Sequence, residues 1–241
     1  IHVPSFTVIW LSLFSALSFL ISVLCLYESL QYSAPSEITP VVGAISAIST
    51  FAFSYIILGN PLPADFFTGF ALLVIGMLLI SHFELNFKSF SYLLFSGIGF
   101  WLSIVLIKAI FIFDDSFANG FFWSRMANVV GAVGLLFWPG NLHAITHNVK
   151  HGSSKGKYVI LTNKVLAGLA FLLILIATKL GNHVSLVNAL SSLQYVFLLM
   201  FAFIFPKRMR EYLSEKHHKR EVLHKLVATA LIMVGFIILF A

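Results

Sequence analysis

The chain predicts an all-α polytopic membrane helix bundle with about eight transmembrane helices, and three observations carry that prediction. Hydrophobic residues make up 59% of the 241 positions and charged residues only 10%, against roughly 25% charged in soluble domains. A water-soluble fold of this composition would leave apolar surface in large patches. The mean hydropathy is +0.97, and the apolar residues gather into runs of about 17 to 25, long enough to cross hydrocarbon. Alternating ten-residue segments of the barrel type are absent. The runs are therefore read as helices, which satisfy their backbone groups internally.

In order, the runs are Val8–Leu30, Ile38–Leu58, Asp65–His82, Ser91–Phe113, Gly120–Trp138, Val159–Leu180, Ser185–Phe205 and Leu226–Ala241. Turn and charge signals separate them: Gly59-Asn60-Pro61, Asp114-Asp115, Pro139-Gly140 and Gly181-Asn182. The connections are too short for a soluble domain. The single cysteine, Cys25, lies inside an apolar run and reads as a small core residue. No Cys/His spacing of a metal site occurs. His143, His147 and His151 recur at four-residue intervals, but in a basic Gly/Ser-rich loop. No cofactor or metal is expected. The first run lacks a basic leader and a small-residue cleavage site.

Charge is distributed by side. Following the runs, one side (Y) receives loops 31–37, 83–90, 139–158 and 206–225. The other (X) receives both ends and loops 59–64, 114–119 and 181–184. Twelve of the fifteen Lys and Arg lie on or next to Y; only Lys108, Arg125 and Lys179 lie toward X. The positive-inside rule puts Y in the cytoplasm. The basic stretch 206–225 reads as a headgroup-facing loop, not a nucleic-acid site.

Two segments repeat. Tyr27–Leu58 registers with Ala177–Phe205 at an offset of 150, each a turn followed by an apolar run. Thr68–Met77 registers with Val227–Phe236 at an offset of 159. Copies separated by an odd number of spans point opposite ways, which is the inverted repeat of many secondary transporters. The copies divide the chain into 1–82, three helices, and 83–241, five helices, within one membrane domain.

The residues Leu26-Tyr27-Glu28-Ser29-Leu30, Pro40-Val41, Ile57-Leu58-Gly59-Asn60 and Gly69 through Gly76 resemble the half-repeat of the EamA-type transporters of the drug/metabolite transporter superfamily. Val187-Asn188-Ala189-Leu190, Gln194-Tyr195-Val196-Phe197 and Gly235 extend the likeness to the second half. The resemblance implies a ten-helix fold of which this chain supplies helices three to ten, with a hairpin ahead of Ile1. It also implies a permease of the cell membrane. Two departures stand: Asn60 replaces the family's Glu, and family members keep both termini in the cytoplasm, opposite to the charge-based orientation.

Polar groups at membrane depth are the candidate site. Lys108, Arg125 and Lys179 share a depth near X, with Asp114 and Asp115 between. Either they form an anion-attracting vestibule, in which Arg125 grips a carboxylate or phosphate through two N–H bonds, or they snorkel and pair with the aspartates. Asn128 lies one turn past Arg125. Glu28, near Y, is a candidate proton-coupling carboxylate, because burial raises a carboxyl pKa. Asn188, Ser192 and Tyr195 share one face of the seventh run and are candidate substrate contacts. Serine and threonine stripes on the first two runs (Ser12, Ser15, Ser18, Ser22; Ser46, Thr50, Ser54) serve close helix packing or a polar cavity.

The sequence thus predicts a secondary transporter for a small organic metabolite, working by alternating access in a lipid bilayer, with protons as a candidate coupling ion. It is not read as an enzyme, and no phosphate-binding Gly-rich loop of an ATPase is present. The rival readings are a membrane-embedded lipid-modifying enzyme, centred on Asp114-Asp115 with Lys108 and Arg125, and a non-transporting membrane scaffold.

Overall fold

The computed structural model describes residues 2–32, 35–59, 64–80, 87–114, 116–137, 154–181 and 183–190. Toward the C-terminus it describes 194, 197, 227–228, 230–235 and 237–238. Among these, every regular element is an α-helix: α1 (Phe6–Ser29), α2 (Pro35–Leu58), α3 (Ala64–Ile80), α4 (Phe87–Phe113), α5 (Phe117–Leu136), α6 (Ser154–Leu180) and α7 (Val184–Leu190). Residues around Ile232 are helical as well. Of the loop expected at 139–158, residues 154–158 belong instead to α6; the rest of it, with the His143–His151 repeat, and the loop expected at 206–225 lie outside the described residues.

Local chemistry sets the ends. Helix α1 closes through tight turns in which Gln31 N–H donates to Glu28 O (3.2 Å) and Tyr32 N–H to Ser29 O (3.0 Å). Helix α2 opens on Pro35, whose missing N–H costs nothing in the first turn. It stops at Gly59, which takes φ +64° while its N–H donates to Tyr55 O at 3.1 Å. That left-handed conformation is the usual glycine terminator. Helix α5 begins at Ser116, extended at φ −78° and ψ 108°, whose Oγ accepts from Asn119 N–H.

Among the described residues, four helices are long and apolar enough to cross a membrane: Phe6–Ser29, Ile38–Leu58, Phe87–Phe113 and Gly156–Leu180. Phe66–Leu79 is a shorter apolar helix. Large aliphatic side chains project outward from them. On α6, Leu166, Leu169 and Leu173 are exposed, Leu173 by 64%. Water does not tolerate such a surface, whereas lipid does. The chain is an integral membrane protein built as a helical bundle.

Contacts group the chain into two compact units, Ile1–Leu20 with Leu106–Asn182 and Ile21–Val105 with His183–Ala241. In the second, α2 packs on α3 and α7. Ala44 and Ala47 of α2 meet Phe70, Leu73, Val74 and Met77 of α3, and Ile232 joins them. A smaller cluster joins Ile38 and Val41 to Leu93. The α2 stripe is buried; the Ser54 hydroxyl has no partner, while those of Ser46, Ser49 and Thr50 bond back to their own helix. Ser46 Oγ donates to Gly43 O (2.7 Å), Ser49 Oγ to Ile45 O (2.8 Å) and Thr50 Oγ1 to Ser46 O (2.7 Å). Such bonding satisfies the hydroxyls without a neighbour and lets helices approach.

The closest approach joins α3 to the helical residues around Ile232. A Cβ on Gly76 would lie 2.6 Å from Ile232 Cγ1 and 3.0 Å from Ala228 O. A Cβ on Gly235 would lie 2.9 Å from Gly69 O and 3.0 Å from Leu73 N. At the 159-residue offset, Gly69 corresponds to Ala228, Leu73 to Ile232 and Gly76 to Gly235. Each glycine therefore meets the counterparts of the residues the other meets. The order of contacts, 76 beside 228 and 69 beside 235, makes the two segments antiparallel.

Gly235→Ala places a methyl against backbone and should lower thermal stability by about 1–3 kcal/mol. Gly134→Ala meets nothing within 4 Å and should be neutral or stabilising by about 0.5–1 kcal/mol. Thermal unfolding in detergent checks both; equal losses would remove the close-approach explanation.

Candidate functional site

The polar groups of the first unit are positioned by an aromatic corner. Ile107 and Phe111 of α4 pack with Leu175 of α6, and Phe117, Phe121 and Phe171 cover them. The Phe111 and Phe117 rings stand 5.3 Å apart. Gly120 admits the edge of Phe111, which a Cβ would meet at 3.0 Å. The first turn of α5 is thereby held against the last turn of α4.

Lys108 enters this corner from α4 and is buried. Its ammonium donates to Thr178 O (2.9 Å), Lys179 O (3.0 Å) and Gly181 O (2.8 Å). These are carbonyls that the end of α6 cannot satisfy within the helix. A positive charge there also opposes the negative end of the helix dipole. An ammonium has three N–H donors, and all three are used. In this arrangement Lys108 is a helix cap with no donor left for a solute.

Beyond the end of α4, Asp114 gathers a second cluster. Its carboxylate accepts from Asn119 Nδ2 and from Ser116 N–H (3.1 Å), and His2 Nε2 lies 3.3 Å away. His2 N–H donates to Asn119 Oδ1 (3.1 Å), and Trp123 Nε1 donates to His2 O (3.2 Å). The Asn119 amide, joined by the Ser116 N–H and the His2 and Lys179 charges, holds the Asp114 carboxyl below its ordinary range despite the opposing effect of burial.

Arg125 is different. It sits eight residues into α5, roughly 12 Å along the axis from Phe117. Its guanidinium lies over Phe171, 4.6 Å from the ring centroid. Phe171 is nine residues before Leu180, roughly 13 Å from the end of α6. The side chain therefore does not snorkel to the helix end. Its Nε is buried without a hydrogen-bond partner, and no carboxylate pairs with it among the described residues. One turn on, Asn128 Nδ2 donates to Ser124 O (2.9 Å) while its Oδ1 is buried and unpartnered. A carbonyl can only accept, so this bond fixes which end of the amide is turned away from it.

An apolar cleft of about 280 Å³ also lies in this unit, bounded by Trp10, Leu13 and Leu17 of α1 and by Ala127, Val130 and Gly131 of α5. Ala127 and Arg125 point to nearly opposite sides of α5, so this is not the arginine site.

The other expected residues fall elsewhere. Asn188 is buried in the second unit, where its Nδ2 donates to Thr50 Oγ1 at 2.7 Å and ties α7 to α2. Glu28 is exposed in the last turn of α1 and accepts from Gln31 Nε2 (3.1 Å). The burial expected of a proton-coupling carboxylate is not found there. Ser192 and Tyr195 lie outside the described residues, as does Asp115. Among the described residues, no three His, Cys, Asp or Glu side chains come together as metal ligands.

Of the sequence candidates, the structure brings together Arg125 and Asn128, with Lys108 in the same unit serving α6. Sequence reasoning missed Phe171, which is one phenylalanine among 26, and the Asn119–His2–Trp123 knot. The signal that could have found the knot is Ser116, an N-cap residue type three positions before Asn119, which the reading of 114–119 as a loop passed over. No known protein-family model matches the chain, and no curated protein is significantly similar to it.

Lys108→Met should cost about 2–3 kcal/mol by stranding the carbonyls at the end of α6; a loss under half that would deny the cap. Asp114 gives a pH dependence of known sign. Its folded pKa is lowered, so its stabilisation is present above the ordinary carboxyl value of about 3.9 and is lost as pH falls through the folded value. The stability gap between wild type and Asp114→Asn should therefore be widest near pH 7 and close in acid. A gap that widens in acid would reverse the assignment.

Proposed function

We propose that the protein is a secondary transporter of the EamA type that moves a small organic metabolite across the cell membrane by alternating access. The observation that carries this reading is the reciprocal glycine contact. Gly76 and Gly235 stand at equivalent places in the repeated segments, and each meets the counterparts of the other's neighbours. An antiparallel, reciprocal contact is what two copies of one unit make when a two-fold axis lies between them, as in a C2 interface. For helices that cross a bilayer, such an axis lies in the membrane plane, which is the geometry of inverted-repeat carriers.

On this reading the chain has about eight spans divided at residue 82, and the halves rock about a site near mid-depth. Arg125 and Asn128 supply that site, at a depth where polar groups are costly unless used. Energy comes from an ion gradient, protons being the first candidate, or from the gradient of the solute itself. The membrane-embedded enzyme reading is less well supported: Lys108 is committed to carbonyls and Asp114 to Asn119 and Ser116, so neither is poised for chemistry.

The test is counterflow in proteoliposomes carrying the full chain, with radiolabelled amino acids, hydroxy acids, nucleosides and monosaccharides. Saturable exchange of one class, independent of ATP and altered by an imposed pH or solute gradient, is expected. No exchange above empty vesicles across all four classes would contradict the carrier reading.

A further inference from the structure

We infer that Arg125 and Asn128 form a recognition site for a small organic acid carrying a hydroxyl or amino donor next to its carboxylate. This rests on the carrier reading and names its substrate class. A guanidinium at this depth is costly unless compensated. The Phe171 ring compensates part of that cost, and the Nε is left buried without a partner. Among the described side chains the acidic ones are Glu28, exposed and bonded to Gln31, and Asp114; lipid phosphate and a soluble anion are the further sources of negative charge. Asp114 belongs to the end of α4 and is held by Asn119, Ser116 and His2. Lipid phosphate lies at the headgroups, whereas the guanidinium lies over a residue roughly 13 Å inside α6. A soluble anion is the remaining source among these, and a planar carboxylate matches the guanidinium fork.

Asn128 sharpens the class. Its Nδ2 is spent on Ser124 O, so what it offers is the buried acceptor Oδ1. Side chains three apart on a helix have Cβ atoms about 5–6 Å apart. One ligand can therefore bridge the pair if a donor sits one or two bonds from its carboxylate. An α-hydroxy or α-amino acid has that shape. A plain carboxylate would satisfy Arg125 and leave Asn128 unpaired, and a site built for a hydrogen bond discriminates strongly against a ligand that lacks it.

The test is equilibrium binding to the full chain in phosphatidylcholine nanodiscs, read by tryptophan fluorescence and by melting temperature. The probes are mandelate, phenylacetate (which lacks the hydroxyl) and inorganic phosphate. Mandelate should bind best. Arg125→Gln should weaken it at least about tenfold, and Arg125→Lys, which keeps the charge but not the fork, several-fold. Asn128→Ala should reduce mandelate to the level of phenylacetate. Without ligand, Arg125→Gln should melt no lower than wild type, since it removes an unpaired charge. Unchanged mandelate binding in Arg125→Gln, or a lower melting temperature there, would overturn the assignment. So would stabilisation by phosphatidylglycerol nanodiscs with no response to mandelate, which would give the guanidinium to lipid. Arginine-dependent binding with no flux in proteoliposomes would uphold the site and remove the carrier. Flux indifferent to Arg125 would do the reverse.

Discussion

Hydrocarbon offers no hydrogen bond, and that single deficit organises the polar chemistry of this protein. The hydroxyls of Ser46, Ser49 and Thr50 turn back onto α2 itself. Asn188 reaches across to Thr50. Lys108 spends its whole donor set on the end of α6. Each polar group in the bundle that has been placed in such a pairing contributes to helix position, and none is left to act on anything else. Ser12, Ser54, Ser96 and His183 also hold a buried polar atom without a partner, but only in α5 do two such groups, the Arg125 Nε and the Asn128 oxygen, lie one turn apart among the described residues. In water such vacancies are filled at no cost; in a bilayer they are sustained only where something else is bound or where water is admitted.

Small residues are the second resource. Without a hydrophobic drive between helices in lipid, association depends on close packing. Gly76 and Gly235 bring two helices to backbone contact, and Gly97 does the same for α4, where a Cβ would meet Ile45 Cγ2 at 2.7 Å. The α3 contact has the further property of reciprocity. Any two antiparallel helices give paired contacts of this kind; what the proposed internal duplication with inversion adds is a glycine at the same place in both segments.

Much of the helical content was legible in the sequence because run length is a direct consequence of bilayer thickness. The end of α2 was legible too, through Gly59; the start of α5 at Phe117 was not, because residues 114–119 read as a loop. The site was legible only as residue types at a depth. Arg125 and Asn128 were found because charge and amide in an apolar run are rare. The role of Lys108 was not, because a lysine near a helix end reads the same whether it caps another helix or attracts an anion; only the position of α6 decides. Phe171 carried no signal at all, since aromatic residues are abundant throughout. Asn188 was identified as buried and polar, but its partner Thr50 is 138 positions away and no periodicity links them.

The most direct measurement of the inverted construction is the sidedness of the two loops that precede the duplicated helices. In a Cys25→Ser background, Asn60→Cys and Lys216→Cys can each be labelled with a membrane-impermeant thiol reagent in sealed, oriented vesicles. Opposite sidedness, with one position reactive only from outside and the other only after permeabilisation, is the predicted result. Both cysteines reacting from the same side would mean that the two copies run the same way, and the inverted repeat and the carrier mechanism built on it would be contradicted together.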